Sequence, residues 1–462
     1  MSRLTSMQYG LPSTSGGLNT ALILGFLLQA ILLLFCVFFS AADVVKAGSS
    51  YIYADAQTDY LWGVFMGLLL TGTIFFWPIK PDEKIIVALL WQAKLLVCLV
   101  LMLFYEAYFI DLDAFGYFNT AVSEGGQFSG LIMGNGTDNI AEICKALFLV
   151  LPESYHLLKV LFAYIGLIGI FVFYRTICIS AGKVNLNWLL GLGLFPSILF
   201  WSSILGKDPI SFLGIAISCY GIICISKKQL WRGLFSLAVG ILLVSYIRIW
   251  MALILMVPAA LVIGITVKSK LSRIVLGIVA IGVASALLTV FNGLFEIETK
   301  RDAVERYDAL SRGWGDVGGS GQVIESNLTD PIQLLAFAPV ASFTALFRPM
   351  PFEIPSVFGT LSGLENLLLL MLFCRALLRV RLAHFRNSAI AAGVLFIVVW
   401  IFLYGPISYQ NLGTAVRFKL QVLPILLALF IAIGMKKNGF TSLPHASLVQ
   451  SVIFDPPMER RK

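Results

Sequence analysis

Long apolar runs, each long enough to cross a bilayer as a helix, dominate the sequence. A membrane-spanning helix needs about 20 mostly apolar residues, because it must satisfy its backbone N–H and C=O groups internally where water is absent. Such runs occur about twelve times, at residues 20–42, 60–79, 85–109, 156–174, 186–205, 209–226, 231–247, 250–267, 274–295, 358–374, 388–405 and 417–435. The pattern predicts an all-α, polytopic integral membrane protein with about twelve transmembrane helices.

The polar residues between the runs predict how the chain is oriented. Of the 33 Lys and Arg residues, 20 fall in alternate segments that hold only four acidic residues, which gives those segments a net charge of +16. Because Lys and Arg collect on the cytoplasmic side of membrane proteins, these segments are predicted to be cytoplasmic, with both termini inside. The overall charge of +8 therefore reports orientation and does not point to nucleic acid as a partner.

Composition excludes several other classes of protein. The chain is 59% hydrophobic and 13% charged, whereas soluble domains are roughly 45–50% apolar and about 25% charged. Seven cysteines in 462 residues are too few for a disulfide scaffold. The sequence has no Walker motif, dinucleotide fingerprint, His/Cys metal cluster or fixed-period repeat, so an ATP-driven engine on this chain is not expected.

The predicted organisation is one transmembrane domain with two long outer loops. Long ordered loops usually carry function, and here they contain a periodic stretch at 139–151, typical of an interfacial amphipathic helix, and an apolar stretch at Pro331–Phe347 that is a candidate for re-entering the membrane. The segments are a cytoplasmic N-terminus at 1–19, the transmembrane domain at 20–435 with outer loops 110–155 and 296–357, and a cytoplasmic tail at 436–462.

An acidic cluster follows the third apolar run. Glu106, Asp111 and Asp113 lie within eight residues of one another. Aromatic side chains beside them, Tyr117 among them, are candidates to bind substrate by stacking on a sugar ring. Carboxylates at a membrane boundary can act as a general base or hold a divalent cation such as Mg²⁺ or Mn²⁺, with Asp111 and Asp113 as the candidate ligands. A solvated helix end with interfacial aromatics would give the same pattern.

Basic residues stand at the predicted outer ends of later spans. Arg248 lies where two spans share about 35 apolar residues with almost no turn between them, which suits either an anion such as a lipid phosphate or snorkelling to headgroups. Lys207 and Asp208 precede the sixth span and are candidate substrate-binding residues that face the same outer cavity as Asp111. Asp208 followed by Pro209 is also typical of an ordinary helix N-cap.

Three further charged positions extend this set. Arg348 with Glu353, and Arg417 at the start of the last span, are candidate substrate-binding residues at the predicted outer face. Lys94 lies within a span, where a bare ammonium is costly, so we expect it to pair with a carboxylate or to face water.

The arrangement resembles the GT-C superfamily of polytopic glycosyltransferases. The likeness lies in an acidic Asp111-Leu-Asp113 element that ends a span, a loop with interfacial helices, Arg175 inside, and a Pro-containing span that ends in Ser-x-x-x-x-Lys207-Asp208. The resemblance implies a GT-C-like fold in which Asp111 or Asp113 is the catalytic base or metal ligand. It implies that Lys207, Arg248 or Arg348 binds the phosphate of a polyprenyl-linked sugar. In the family the acid usually follows the first span, so this chain would carry two additional N-terminal helices.

Two other functions remain open. An O-antigen or exopolysaccharide polymerase or ligase would place the chemistry on outward arginines, namely Arg301, Arg306, Arg348 and Arg417. A lipid-linked oligosaccharide flippase or other secondary transporter would show inverted repeats, broken spans and ionisable residues near the midplane. A scaffold of an envelope complex is a third, less specific reading.

The favoured interpretation is a glycosyltransferase of the bacterial cytoplasmic (inner) membrane that works on its extracytoplasmic face. Its expected partners are a polyprenyl-(pyro)phosphate-linked donor, a glycan or lipid-linked acceptor, the lipid bilayer and other polysaccharide-synthesis proteins of the cell envelope.

Overall fold

A computed structural model describes residues 41–434, apart from 53–54, 109–111, 124–126 and most of 296–330, together with a few residues between 20 and 32. The described residues form helices and no β-sheet, which confirms the all-α prediction. The eighteen α-helices of this part of the chain are α1 Ala41–Gly48, α2 Ala56–Thr73, α3 Pro81–Leu96, α4 Met102–Tyr108, α5 Asp113–Ser123, α6 Gly136–Phe148, α7 Tyr155–Ala181, α8 Leu186–Gly193, α9 Pro196–Trp201, α10 Lys207–Ser226, α11 Leu230–Ile247, α12 Ile249–Thr266, α13 Lys270–Phe295, α14 Pro331–Phe347, α15 Val357–Leu377, α16 Ser388–Gln410, α17 Leu412–Lys419 and α18 Leu423–Gly434.

Nine helical segments within the described residues are long and apolar enough to cross a membrane, and α17 with α18 makes a tenth if this pair, bent by 64°, is one span. The predicted run at 186–205 is divided into α8 and α9, since Pro196 begins a new helix. The predicted run at 20–42 falls almost wholly outside the described residues. The chain is thus a multi-pass helical protein, and the count of twelve spans stays a prediction.

Helix α10 packs against α7 on one side and against α11 on the other. Glycines allow α10 and α11 to approach closely: a Cβ built on Gly221 would lie 2.7 Å from the backbone oxygen of Gly233. Small residues at such contacts let helices pack backbone against backbone, which is how helices associate in lipid. This close hairpin fixes the start of α10 relative to the end of α11.

The predicted loop at 110–155 is mostly helical. The expected helix at 139–151 is confirmed as α6, which packs against α5 and against the end of α11. Two hydrogen bonds attach this loop to α11, from Gly134 N to the Ser245 carbonyl (3.0 Å) and from Asn139 Nδ2 to the Tyr246 carbonyl (2.6 Å). The loop therefore folds over the ends of α10 and α11. The apolar stretch Pro331–Phe347 forms helix α14, which packs against α16.

Candidate functional site

Five charged side chains that are distant in sequence meet at one end of the bundle, the end predicted to face outward. We call them the arginine cluster: Asp113, Lys207, Asp208, Arg248 and Arg417. They come from the start of α5, the start of α10, the junction of α11 with α12, and α17. The structure therefore brings together most of the residues that the sequence suggested as base and phosphate binders.

Asp208 is the shared partner of both arginines. Its Oδ1 accepts a hydrogen bond from Arg248 Nη2 at 2.8 Å, and its Oδ2 accepts one from Arg417 Nε at 2.5 Å. Only 2% of its side chain is exposed. The N-cap interpretation of Asp208 is wrong, because α10 begins at Lys207 with Gly206 at the cap position and no side-chain cap. The side chain is thereby directed at the arginines.

Arg248 occupies the break between α11, which ends at Ile247, and α12, which begins at Ile249. Its guanidinium lies over the Phe418 ring, 4.9 Å from the centroid. The residue is buried, and its Nη1 has no hydrogen-bond partner among the described residues. Since a buried donor without an acceptor is costly, this N–H group is suited to meet an anionic ligand.

Lys207 projects beside the arginines and keeps donors available. Its Nζ donates to Thr137 Oγ1 at 2.7 Å, and it lies 5.9 Å from the centroid of the Tyr117 ring. Burial, and next the negative charge of Asp113, raise the pKa of Tyr117 well above its ordinary value. Tyr117 is therefore a neutral hydroxyl at the wall of the site, rather than a base.

Asp113 is the accessible carboxylate of the cluster. Arg417 Nη1 donates to its Oδ2 at 3.1 Å, while 61% of its side chain stays exposed. Asp111 lies outside the described residues. Within the described ranges no group of three or more His, Cys, Asp or Glu side chains comes together, and one oxygen of Asp113 is already held by an arginine. A Mg²⁺ or Mn²⁺ ion between Asp111 and Asp113 therefore stays a prediction.

The electrostatics of the cluster favour an anion. With all five groups ionised, three cations face two carboxylates, which leaves one positive charge in excess. The N-termini of α10 and α12 also lie here, and each adds partial positive charge from its unpaired N–H groups. The site is thus able to bind a phosphate group through the donors of Lys207 and Arg248.

Glu106 makes its hydrogen bonds in a different place. Its carboxylate accepts from Lys159 Nζ at 2.7 Å and from the Tyr155 hydroxyl at 2.8 Å. Lys159 also lies 3.4 Å from Nδ1 of His156, whose other ring nitrogen is 3.9 Å from Asp59 Oδ2. All four ionisable side chains of this group are buried: Asp59, Glu106, His156 and Lys159.

Arg348 and Glu353 pair with each other. Arg348 Nε lies 3.0 Å from Glu353 Oε1, and the Arg348 carbonyl accepts from Lys419 Nζ at 3.4 Å. Lys419 is buried and also donates to Asn366. Among the described residues, the Arg348 side chain makes no hydrogen bond or ion pair with the arginine cluster. Arg301 and Arg306 lie outside those residues.

Three side chains that sequence reasoning missed complete the site. Thr137 accepts a hydrogen bond from Lys207, and the Phe418 ring packs against the Arg248 guanidinium. The centroid of the Trp201 ring lies 5.9 Å from the Arg417 guanidinium. The sequence gives a signal for two of them: Phe418 lies between Arg417 and Lys419, and Trp201 lies six positions before Lys207-Asp208. Thr137 has no such signal.

Lys94 does not pair with a carboxylate and does not face water, so both expectations for it were wrong. It is fully buried, and its Nζ donates to the Ser202 carbonyl and to the hydroxyls of Ser202 and Ser203 at 2.7–2.9 Å. Two serines can replace a carboxylate here because they supply one acceptor for each N–H of the ammonium group.

Comparison of the chain with protein-family models, with curated proteins and with solved structures gave no match.

Proposed function

We propose that the protein is a membrane glycosyltransferase that takes a sugar or glycan from a polyprenyl-(pyro)phosphate-linked donor. The observation that supports this most directly is the arginine cluster itself. It combines an excess positive charge, a buried guanidinium N–H without a partner at Arg248, and an accessible carboxylate at Asp113. A sugar–phosphate bond needs both cations for the leaving phosphate and a base for the acceptor hydroxyl.

The proposed reaction assigns a role to each accessible group. Asp113 accepts the proton of the acceptor hydroxyl while the hydroxyl oxygen attacks the anomeric carbon of the donor sugar. The bond between that carbon and the phosphate oxygen breaks, and the lipid (pyro)phosphate leaves with the bonding electrons. Lys207 and Arg248 stabilise the charge that develops on it. Asp208 touches no substrate in this scheme, since both of its oxygens are occupied by arginines.

The first test measures phosphate recognition with a defined probe. Wild-type protein in nanodiscs is expected to bind farnesyl phosphate at least about tenfold more tightly than farnesol, because charge-assisted hydrogen bonds contribute about 1.5–3 kcal/mol each. Arg248→Met should lose this preference. Arg379→Gln, which changes an exposed arginine that donates to the Gly434 carbonyl at the opposite end of the bundle, should keep it. Equal binding of phosphate and alcohol by the wild type would refute the proposal.

The second test measures bond cleavage. With lipid-linked glycans extracted from the producing cell, the wild type should release polyprenyl phosphate or pyrophosphate. Asp113→Asn should bind the donor normally. It should release polyprenyl phosphate or pyrophosphate about 10²–10⁴-fold more slowly than the wild type, as expected for loss of a general base. The length of the glycan product separates a polymerase or ligase from a transferase of single sugars.

A secondary transporter or flippase is the other candidate, and one bent helix pair together with one interrupted apolar run favours it. α8 and α9 are divided at Pro196, and α17 meets α18 at 64°. Buried Glu365 and Lys419 lie at these breaks, where Glu365 accepts a hydrogen bond from Ser197 N at 2.7 Å. Broken helices with buried ionisable residues are typical of transporters. In the cleavage assay, a flippase would move the lipid-linked glycan across the bilayer without releasing the phosphate.

A further inference from the structure

Lys94 is a buried cation whose partners are all neutral. It lies in the last turn of α3 and its residue is 0% exposed. No carboxylate comes within 4 Å of its Nζ among the described residues. A charged group buried in this way normally has an ionic partner. Lys94 has neutral hydrogen-bond acceptors in place of that partner.

The hydrogen-bond pattern gives Lys94 one acceptor for each N–H of an ammonium group. The Ser202 hydroxyl lies 2.5 Å from the Ile198 carbonyl and the Ser203 hydroxyl 2.6 Å from the Leu199 carbonyl. With their protons directed at those carbonyls, both hydroxyl oxygens accept from Nζ, as the Ser202 carbonyl does. These three acceptors tie Lys94 to residues 202 and 203.

These acceptors belong to the turn that enters the arginine cluster. Ser202 and Ser203 follow α9, whose last residue, Trp201, lies beside Arg417. Three residues separate Ser203 from Lys207, where α10 begins. The opposite side of the turn is also fixed, because a Cβ on Gly166 of α7 would lie 2.0 Å from the Ser202 carbonyl oxygen. The turn is therefore held between α3 and α7 with little space to shift.

We propose that Lys94 is a positioning residue for the arginine cluster. Its ammonium holds the turn at 202–206 so that Asp208 reaches Arg248 and Arg417 together and leaves Nη1 of Arg248 free for a phosphate. The inference rests on the proposed phosphate-binding function for its effect on ligands, while its effect on the turn stands on the contacts alone. A residue buried in the membrane domain thus sets the geometry of a site that it does not touch.

The test replaces Lys94 by methionine, which fills a similar volume without donors. Backbone hydrogen exchange of residues 202–208 in the folded Lys94→Met variant should be at least about tenfold faster than in the wild type, because the turn loses three hydrogen bonds. The preference for farnesyl phosphate over farnesol should fall by a similar factor, whereas binding of farnesol should not change. A merely structural defect would lower the affinity for farnesyl phosphate and for farnesol equally.

The matched control is Lys159→Met, which removes another fully buried lysine, one that donates to Glu106. It should leave exchange at residues 202–208 unchanged. If Lys94→Met does not fold, Ser203→Ala takes its place, since it removes one acceptor and should give a smaller increase in the same segment. Unchanged exchange in whichever of the two variants folds would overturn the positioning role. Absence of any phosphate preference in the wild type would instead overturn the proposed function, and the exchange result would still stand.

Discussion

Asp208 and Asp113 contact the same arginine, yet their surroundings give them different roles. Asp208 is almost completely buried between two guanidinium groups, whereas more than half of Asp113 is exposed. Removing one partner of a buried ion pair leaves an uncompensated charge, while an exposed pair is screened by water. At the scale of residues, then, one carboxylate assembles the site and the other is available for chemistry.

This difference leads to a prediction about stability. Asp208→Asn should lower the free energy of unfolding by about 3 kcal/mol, because buried Arg248 then loses its carboxylate partner and Arg417 keeps only the exposed Asp113. Asp113→Asn, with the same change in charge, should lower it by less than about 1 kcal/mol. Denaturant titration of both variants in the same detergent measures the two values. Equal losses would mean that Asp208 is not the residue that holds the arginines together.

At the scale of elements, the site depends on how α6 rests on the α11–α12 junction. A Cβ on Gly136 would lie 2.2 Å from the Ile247 carbonyl oxygen, next to Arg248, whereas one on Gly116 in α5 would meet nothing within 4 Å. Gly136→Ala should therefore displace α6 and destabilise the protein by about 1–3 kcal/mol, and it should weaken farnesyl phosphate binding. Gly116→Ala is the control, and helix propensity favours it. Thermal unfolding in detergent compares them, and equal stability of the two variants would contradict the contact.

The sequence predicted the positions of these helices better than the contacts between them. Arg248 at a helix junction followed from an apolar run too short for two spans and a turn, and the helix in the first long loop followed from its periodicity. The hydrogen bond between Asp113 and Arg417 joins residues 304 positions apart, and no local pattern specifies which spans pack together. For Asp208 the sequence left a helix cap and a site residue as alternatives, because Asp-Pro is also a common helix start. The partners of Lys94 were missed because a carboxylate was expected where two serines suffice.

At the scale of the whole molecule, the proposed function depends on which side of the membrane the arginine cluster faces. The cluster and the loop formed by α5 and α6 lie at one end of the bundle. The opposite end holds the link between α15 and α16, which contains Arg381 and Arg386. The positive-inside rule assigns that basic end to the cytoplasm. A donor that is presented outside the cytoplasm can then reach Lys207 and Arg248 only if the rule holds for this chain.

Cysteine labelling tests that orientation directly. In a background with the native cysteines replaced, Asp138→Cys marks the exposed start of α6 and Arg386→Cys the exposed link before α16. A membrane-impermeant maleimide should label Asp138→Cys in intact cells, because the arginine cluster is predicted to face outward. It should label Arg386→Cys only after the membrane is permeabilised. The reverse pattern would place the cluster in the cytoplasm, and an enzyme that uses an outward-facing lipid-linked donor would then be excluded even if the site binds phosphate.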